Sequence, residues 1–394
     1  MIKHQGKLDG IIHVLGALFF LISLQLLIPN KIIEYIIFVV RVLLFFKLFV
    51  YVNKSKKHFI WFYLLLFFYY LFYGLVISNF FSFIIMDVLS AFSILFLFFI
   101  NDENRDYVTE KSLNVISIIL GFSFIFSLIY LSVYGFRPAE VIGERIMFEK
   151  EGSNFKIFYQ SVGLSLVLLP FIWFVDFKRK LAIGFAFVLF TGFNLISLSR
   201  GFLAGSFISL LFSIYIGFKL KKLRLTYTVI SSTSIIIFSL LFFLNQNKEV
   251  LGTTLELLKY RVELVGSEVE PRDLEAEYYF KDLSYYELFL GKGMGAANLN
   301  PFGVQHTETG LMMMHRGENN LIMKGGLLFL FIIYGLAIFS LIKLLISKDL
   351  FSNSWASVIL IFLLLERGHQ QYSSVFMLIF LCLAISYSFS LKNK

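Results

Sequence analysis

Twelve runs of apolar residues, set apart by short polar gaps and two longer loops, leave this chain few ways to fold. They cover roughly 11–29, 32–52, 58–77, 80–100, 113–134, 157–176, 181–198, 202–218, 226–244, 320–346, 354–366 and 372–390. Most reach the ~20 residues that a helix needs to cross a hydrocarbon core. The expected fold is all-α: a polytopic membrane protein of about 12 transmembrane helices, forming one membrane domain over 1–394.

The basic residues orient it. Gaps counted as even from the N-terminus hold Lys3 and Lys7; Lys54, Lys56 and Lys57; Arg105 and Lys111; Lys178, Arg179 and Lys180; Lys219, Lys221, Lys222 and Arg224; Lys343 and Lys348; Lys392 and Lys394. The short odd gaps hold only Lys31, Arg200 and Arg367. The positive-inside bias therefore predicts cytoplasmic termini. Two long odd gaps, about 135–156 and 245–319, are then external, the second being a large loop between helices 9 and 10.

Composition removes several function classes. With 58% hydrophobic and 15% charged residues in 394, there is no room for a sizeable soluble domain. The net charge of +9 fits the anionic cytoplasmic lipid surface, so no nucleic-acid partner is expected. The fifty Phe residues are read as lipid-facing and packing bulk rather than sugar-stacking platforms. One cysteine, Cys382, allows no internal disulfide, thiolate cluster or redox pair. The first run reads as an uncleaved signal anchor. The short cytoplasmic gaps hold no phosphate-binding glycine loop and no space for a nucleotide domain. Chemistry must use substrates that reach the outer face or the membrane interior.

Unusual polar residues gather on the predicted external side. Arg200, in the tight turn Ser199-Arg200-Gly201, either snorkels at the outer interface or reaches into a cavity. The loop from Asn245 to Asn319 adds Arg261, Arg272, His306, His315, Arg316 and Glu318, and the last external turn adds Arg367 and His369. The 135–156 gap adds Arg137, Arg145 and Lys150, with Lys156 at its edge, among four glutamates. Any of these can also be a solvated loop charge. Within the large loop, Gly291-Lys292-Gly293-Met294-Gly295 predicts a flexible turn with positive φ and close backbone approach. Apolar and aromatic spacing over 253–264 and 272–289 predicts short amphipathic helices lying on the membrane. In the membrane, Glu34, Arg41, Lys47 and Asp87 are expensive and need a partner or a wet cavity. Arg41 and Asp87 lie near the middle of their runs, so they are expected either to pair or to line a cavity.

Several of these residues also carry a resemblance. Ser199-Arg200-Gly201 opens a span, Arg272 lies in Pro271-Arg272-Asp273-Leu274, and Leu288-Phe289-Leu290-Gly291-Lys292-Gly293-Met294-Gly295 follows. His315 then stands nine residues before Lys324, with Gly325-Gly326 opening an apolar helix. This order resembles the O-antigen polymerase and O-antigen ligase superfamily, at residue level over about 196–206 and 270–330 and in topology over nearly the whole chain. It departs from the family pattern in that Arg316, not Asn or Ser, follows His315.

The resemblance implies a GT-C-like membrane enzyme of a bacterial inner membrane with its active face periplasmic. Its substrates would be undecaprenyl-pyrophosphate-linked glycans, its product a lipopolysaccharide O-antigen or related surface polysaccharide. Arginine forks suit the pyrophosphate that leaves as the glycan is transferred; Arg200 and Arg272 come first, then Arg261 and Arg316. Such preorganised donors supply on the order of 3 kcal/mol each. His315 is the candidate catalytic base with Glu318 three residues on, orienting it or acting in its place; a positioning role for His315 stays open. Arg145, Asn319, Arg367 and His369 are candidate substrate contacts. Metal-dependent relatives in chemistry draw carboxylates from an early external loop, which here is only Pro29-Asn30-Lys31, so neither metal nor cofactor is expected. Membrane lipids and a chain-length regulator protein are the other expected partners. The rival activities are ligation of O-antigen to lipid A core and, from another class, flipping of lipid-linked sugars. The divergent histidine region and Phe-rich composition favour polymerisation over ligation.

Overall fold

The computed structural model describes residues 2–25, 31–55, 57–77, 79, 81–134, 138–142, 145–148, 164–196, 200–222, 277, 279–281, 283–297, 317–347, 349–366 and 374–391. Helices follow one another as α1 (Ile2–Gln25), α2 (Lys31–Ser55), α3 (Lys57–Val76), α4 (Phe81–Ala91) with a 3-10 continuation at Phe92–Phe98, and α5 (Arg105–Tyr134). After the apolar helix Leu164–Phe174 come α6 (Phe177–Ile196), α7 (Arg200–Lys219), α8 (Tyr285–Leu290), α9 (Gly317–Ile346), α10 (Leu350–Glu366) and α11 (Ser374–Ser390). A short antiparallel ribbon, β1 (Pro138–Ile142) with β2 (Arg145–Phe148), lies within the 135–156 gap.

Each apolar run except 226–244, which lies outside the described residues, coincides with a helix. Among the described residues, four helical stretches are long and apolar enough to cross a membrane: Lys31–Val52, Arg105–Ile129, Phe202–Lys219 and Glu318–Ile346. Shorter apolar helices occupy Trp61–Val76, Phe83–Phe98, Leu164–Phe174, Leu350–Leu364 and Leu378–Ser390. Of the two predicted loop helices, 253–264 lies outside the described residues, while 272–289 contains helical residues at 277 and 279–281 and the start of α8.

The chain divides into two compact units. One comprises 1–41, 106–266 and 344–361. Several of its helices turn small hydroxyl residues inward among the apolar ones. Along α7, Phe202, Ser206, Ser209, Ser213 and Ile216 are buried, while Phe207, Leu211, Tyr215 and Phe218 are exposed. The three- and four-residue steps put each set on one face. This suits a helix in lipid, where burying a Leu gains little and close backbone packing plus hydrogen bonds hold neighbours. The Ser209 hydroxyl accordingly donates to Leu166 O at 2.7 Å, and Trp173 Nε1 to Ser213 O at 2.7 Å. Ser354 adds a bond to Pro170 O at 2.9 Å beside the edge-on Phe171–Trp355 pair. At one end of α5, Asp9 accepts from the Tyr107 hydroxyl at 2.5 Å and lies 3.9 Å from Lys111.

The second unit comprises 42–105, 267–343 and 362–394. Where α4 tightens into its 3-10 continuation, Tyr63 donates to Ala91 O at 2.9 Å, and Phe92 stacks on Phe45 at 3.7 Å between centroids. The 3-10 end packs on α11, where Ser386 accepts from Ile100 N and donates to Ile100 O, both at 3.0 Å. Ser388 bonds Ser340 of α9 at 2.8 Å. These bonds hold α4, α9 and α11 as one frame, and the candidate site is built inside it.

Candidate functional site

The site begins with a failure of helix geometry. Gly326, inside α9, has φ 68° and ψ −175°, a conformation that essentially only glycine adopts. It interrupts the helix about nine residues, or ~13 Å, from its start. A helix that ends leaves its last four carbonyls without intrahelical partners, and such groups are costly away from water.

The glycine loop supplies the missing donors. Lys292 N donates to Met323 O at 2.9 Å and Gly293 N to Lys324 O at 3.0 Å. The Tyr70 hydroxyl of α3 donates to Gly325 O at 3.1 Å. The loop's own groups are satisfied in turn. Gly291 N bonds Glu287 O at 2.7 Å, Met294 N bonds Tyr70 O at 3.0 Å, and Gly295 N bonds Asp87 Oδ2 at 2.8 Å. Asn79 Nδ2 donates to Lys292 O at 2.8 Å and Met294 O at 2.9 Å. Positive φ at Gly291, Gly293 and Gly295 (75°, 78° and 79°) agrees with the sequence reading. The turn is pinned by these bonds, however, rather than flexible. Gly293 packs against Gly74, and a Cβ on either would strike the other segment's backbone.

Asp87 and Lys324 complete the arrangement. Lys324 Nζ donates to Asp87 Oδ1 in an ion pair whose side chains are 16% and 10% exposed. Asp87 thus joins α4, the loop and α9 through one carboxylate. Of its two expected settings, pairing or a cavity, Asp87 has both, with Lys324 as its ionic partner. Asp87 already accepts from the loop amide, and Lys324, two residues before the break, brings an ammonium to the other oxygen. A cavity of about 160 Å³ adjoins the pair. Its polar lining residues are Tyr70, Asp87, Ser90, Asn320 and Lys324, and its apolar ones include Ile94, Phe329, Ile333 and Leu378.

Outside the loop, α8 begins with a capping box. Ser284 accepts from Glu287 N at 3.2 Å, and Ser284 N donates to Glu287 Oε2 at 2.9 Å. The Ser284 backbone N–H, then its hydroxyl and Lys292 at 3.8 Å, hold the Glu287 carboxyl below the usual range against partial desolvation. Lys292 also lies 5.5 Å from the Tyr279 ring centroid. Burial, with Glu287 adding to it, pushes the Tyr279 phenol up. Tyr69, Tyr73 and Tyr286 close this side, with the Tyr69 and Tyr286 hydroxyls 2.5 Å apart.

Of the residues singled out by sequence, Glu318 and Asn319 lie in the first turn of α9, Asn319 being buried. Asn320, next to them, reaches the cavity wall. Arg200 starts α7, and Arg145 starts β2 opposite Ile142. His315, Arg316, Arg261, Arg272, Arg367 and His369 lie outside the described residues. Among the described residues no group of three or more His, Cys, Asp or Glu converges to hold a metal. Sequence reasoning missed the Asp87–Lys324 pair, Asn79 and Tyr70. The available signal was a lysine directly before Gly325-Gly326 inside an apolar run. No protein-family model and no curated protein matches this chain.

Proposed function

We propose that the protein is a membrane glycosyltransferase that polymerises undecaprenyl-pyrophosphate-linked repeat units into a surface polysaccharide. In this reading the chain crosses a bacterial inner membrane about twelve times, with cytoplasmic termini and the reaction on the periplasmic face. The observation that carries it is the rigid seat at the start of α9. The inserted glycine loop and Asp87 fix the segment that bears Glu318, Asn319 and Asn320, the continuation of His315-Arg316. A polymerase must hold an acceptor hydroxyl and a departing pyrophosphate in register, and preorganised groups on rigid elements do this best. Arg200 and Arg272 would grip the pyrophosphate, with Arg261 and Arg316 behind them, and His315 or Glu318 would take the acceptor proton.

A transporter of lipid-linked sugars has one observation in its favour, since a broken apolar helix beside a buried ion pair is also how many carriers build a site. Reconstitution with a lipid-linked repeat unit separates the readings. A ladder of longer glycans supports polymerisation, transfer to lipid A core would make it a ligase, and movement without a new bond a flippase. Within the polymerase reading, Arg200→Lys and Arg272→Lys keep the charge but lose the fork, so each should lose most activity at normal expression. Polymer of wild-type length from either variant removes that residue from the site.

A further inference from the structure

The cavity beside Asp87 and Lys324 is lined by both polar and apolar side chains. Among the described residues the Lys324 ammonium has one partner, the Asp87 carboxylate, although an ammonium carries three donors. Both Asp87 oxygens already accept, one from Lys324 and one from Gly295 N. The polar lining therefore has donors to spare and no net charge. The lining also includes the apolar Ile94, Phe329, Ile333 and Leu378. An occupant must bring an accepting oxygen for Lys324 and carbon for the apolar lining. A full anion would enter a site whose one cation among the described residues is already matched, and its desolvation would go uncompensated. At about 160 Å³ the space is below the ~300–1,000 Å³ of whole-ligand pockets, so it takes a head and the first carbons of a longer molecule. Lys324 lies seven residues from the start of α9, ~10 Å along its axis, inside a stretch apolar enough to cross a membrane.

We infer that this cavity binds the uncharged oxygen headgroup of a long-chain membrane amphiphile, an alcohol or ester, with its oxygen on Lys324 and its chain along Phe329 and Leu378. The inference goes beyond the glycosyl-transfer reading and requires none of that reading's arginines, so its test uses binding rather than activity. The full chain in detergent is photolabelled with a diazirine-bearing long-chain alcohol, and the labelled peptides are mapped with oleyl alcohol, oleate, hexadecane or glycerol as competitor. Label is expected on the α9 and α11 peptides that contain Phe329, Ile333 and Leu378. Oleyl alcohol should remove it, ionised oleate should compete at least about tenfold more weakly, and hexadecane and glycerol should not compete. The paired substitution Asp87→Asn with Lys324→Met leaves no lone buried charge and should cut labelling about tenfold. Ile333→Phe, which fills the apolar lining without touching the ion pair, should also reduce labelling. Competition by hexadecane equal to that of oleyl alcohol would overturn the role of Lys324. Stronger competition by oleate would mean an anion site, and unchanged labelling in both variants would place the amphiphile elsewhere.

Discussion

Helices α7 and α9 are both long and apolar, yet they meet the demands of a membrane in opposite ways. In α7 the backbone bonds itself from Arg200 to Lys219, and the buried polar residues form a stripe of serines. In α9 the ladder stops at Gly326, and the carbonyls it frees are bonded by residues from a loop and from α3. Along its buried face the first arrangement holds neighbours together. The second spends a charged pair, four positive-φ glycines and a folded loop on one point, and such local departures from the regular pattern are where function is expected.

The sharpest way to break this contrast is to remove Asp87. Asp87→Ala leaves the Lys324 ammonium buried without its partner and Gly295 N without an acceptor, and should destabilise the fold by ~3–5 kcal/mol. Thermal unfolding in detergent measures it, and Asp87→Asn with Lys324→Met should recover most of the loss. A next, smaller effect compares two glycines of one helix. Gly326→Ala forces a Cβ into the Phe289 and Leu290 backbone at a φ that alanine avoids, at a cost of about 2–3 kcal/mol. Gly335, with open space around it, should accept Ala within about 1 kcal/mol. Equal melting temperatures for the two variants would mean the break is dispensable.

The sequence foretold the position of nearly every described helix because length and apolar content alone decide what can lie in a membrane. It told less about which face of a helix packs, since α7 is apolar all round and its inward stripe is marked only by serines at three- and four-residue steps. Asp87 was recognised as needing a partner, but depth within a run is a one-dimensional guide and pointed to Arg41. Lys324 was noted only as the residue before Gly325-Gly326 at the opening of an apolar helix, whereas α9 starts at Gly317 and places it inside. The docking of a glycine loop onto a helix break depends on contacts between residues about thirty apart in the chain and with α3 and α4. No local pattern encodes those contacts. Among the proposed reaction residues, Glu318 and Asn319 gain a structural setting, a turn fixed from below by the loop.

Two smaller predictions sharpen the comparison. In α7, Ser209→Ala removes one interhelical hydrogen bond and should lower stability by only ~0.6 kcal/mol, far below the loss at Asp87. A loss as large would mean the serine stripe is no mere packing device. The smallest effect concerns pH at α8. Because the folded-state pKa of Glu287 is held below its unfolded value, the capping box contributes fully above the unfolded carboxylate pKa. That contribution fades as pH falls through the lower folded value. Amide exchange in 285–290 should therefore quicken, beyond its intrinsic pH dependence, only on acidification below the ordinary carboxylate range. Glu287→Gln should flatten the response.

The most direct test of the inserted loop is hydrogen exchange at Lys292 and Gly293, whose amides donate to Met323 and Lys324 of the broken helix. If the loop completes α9, these glycine-loop amides exchange as slowly as those in the helix interior, and Gly326→Ala releases them. Exchange at the rate of an open loop in the unmodified protein would contradict the account.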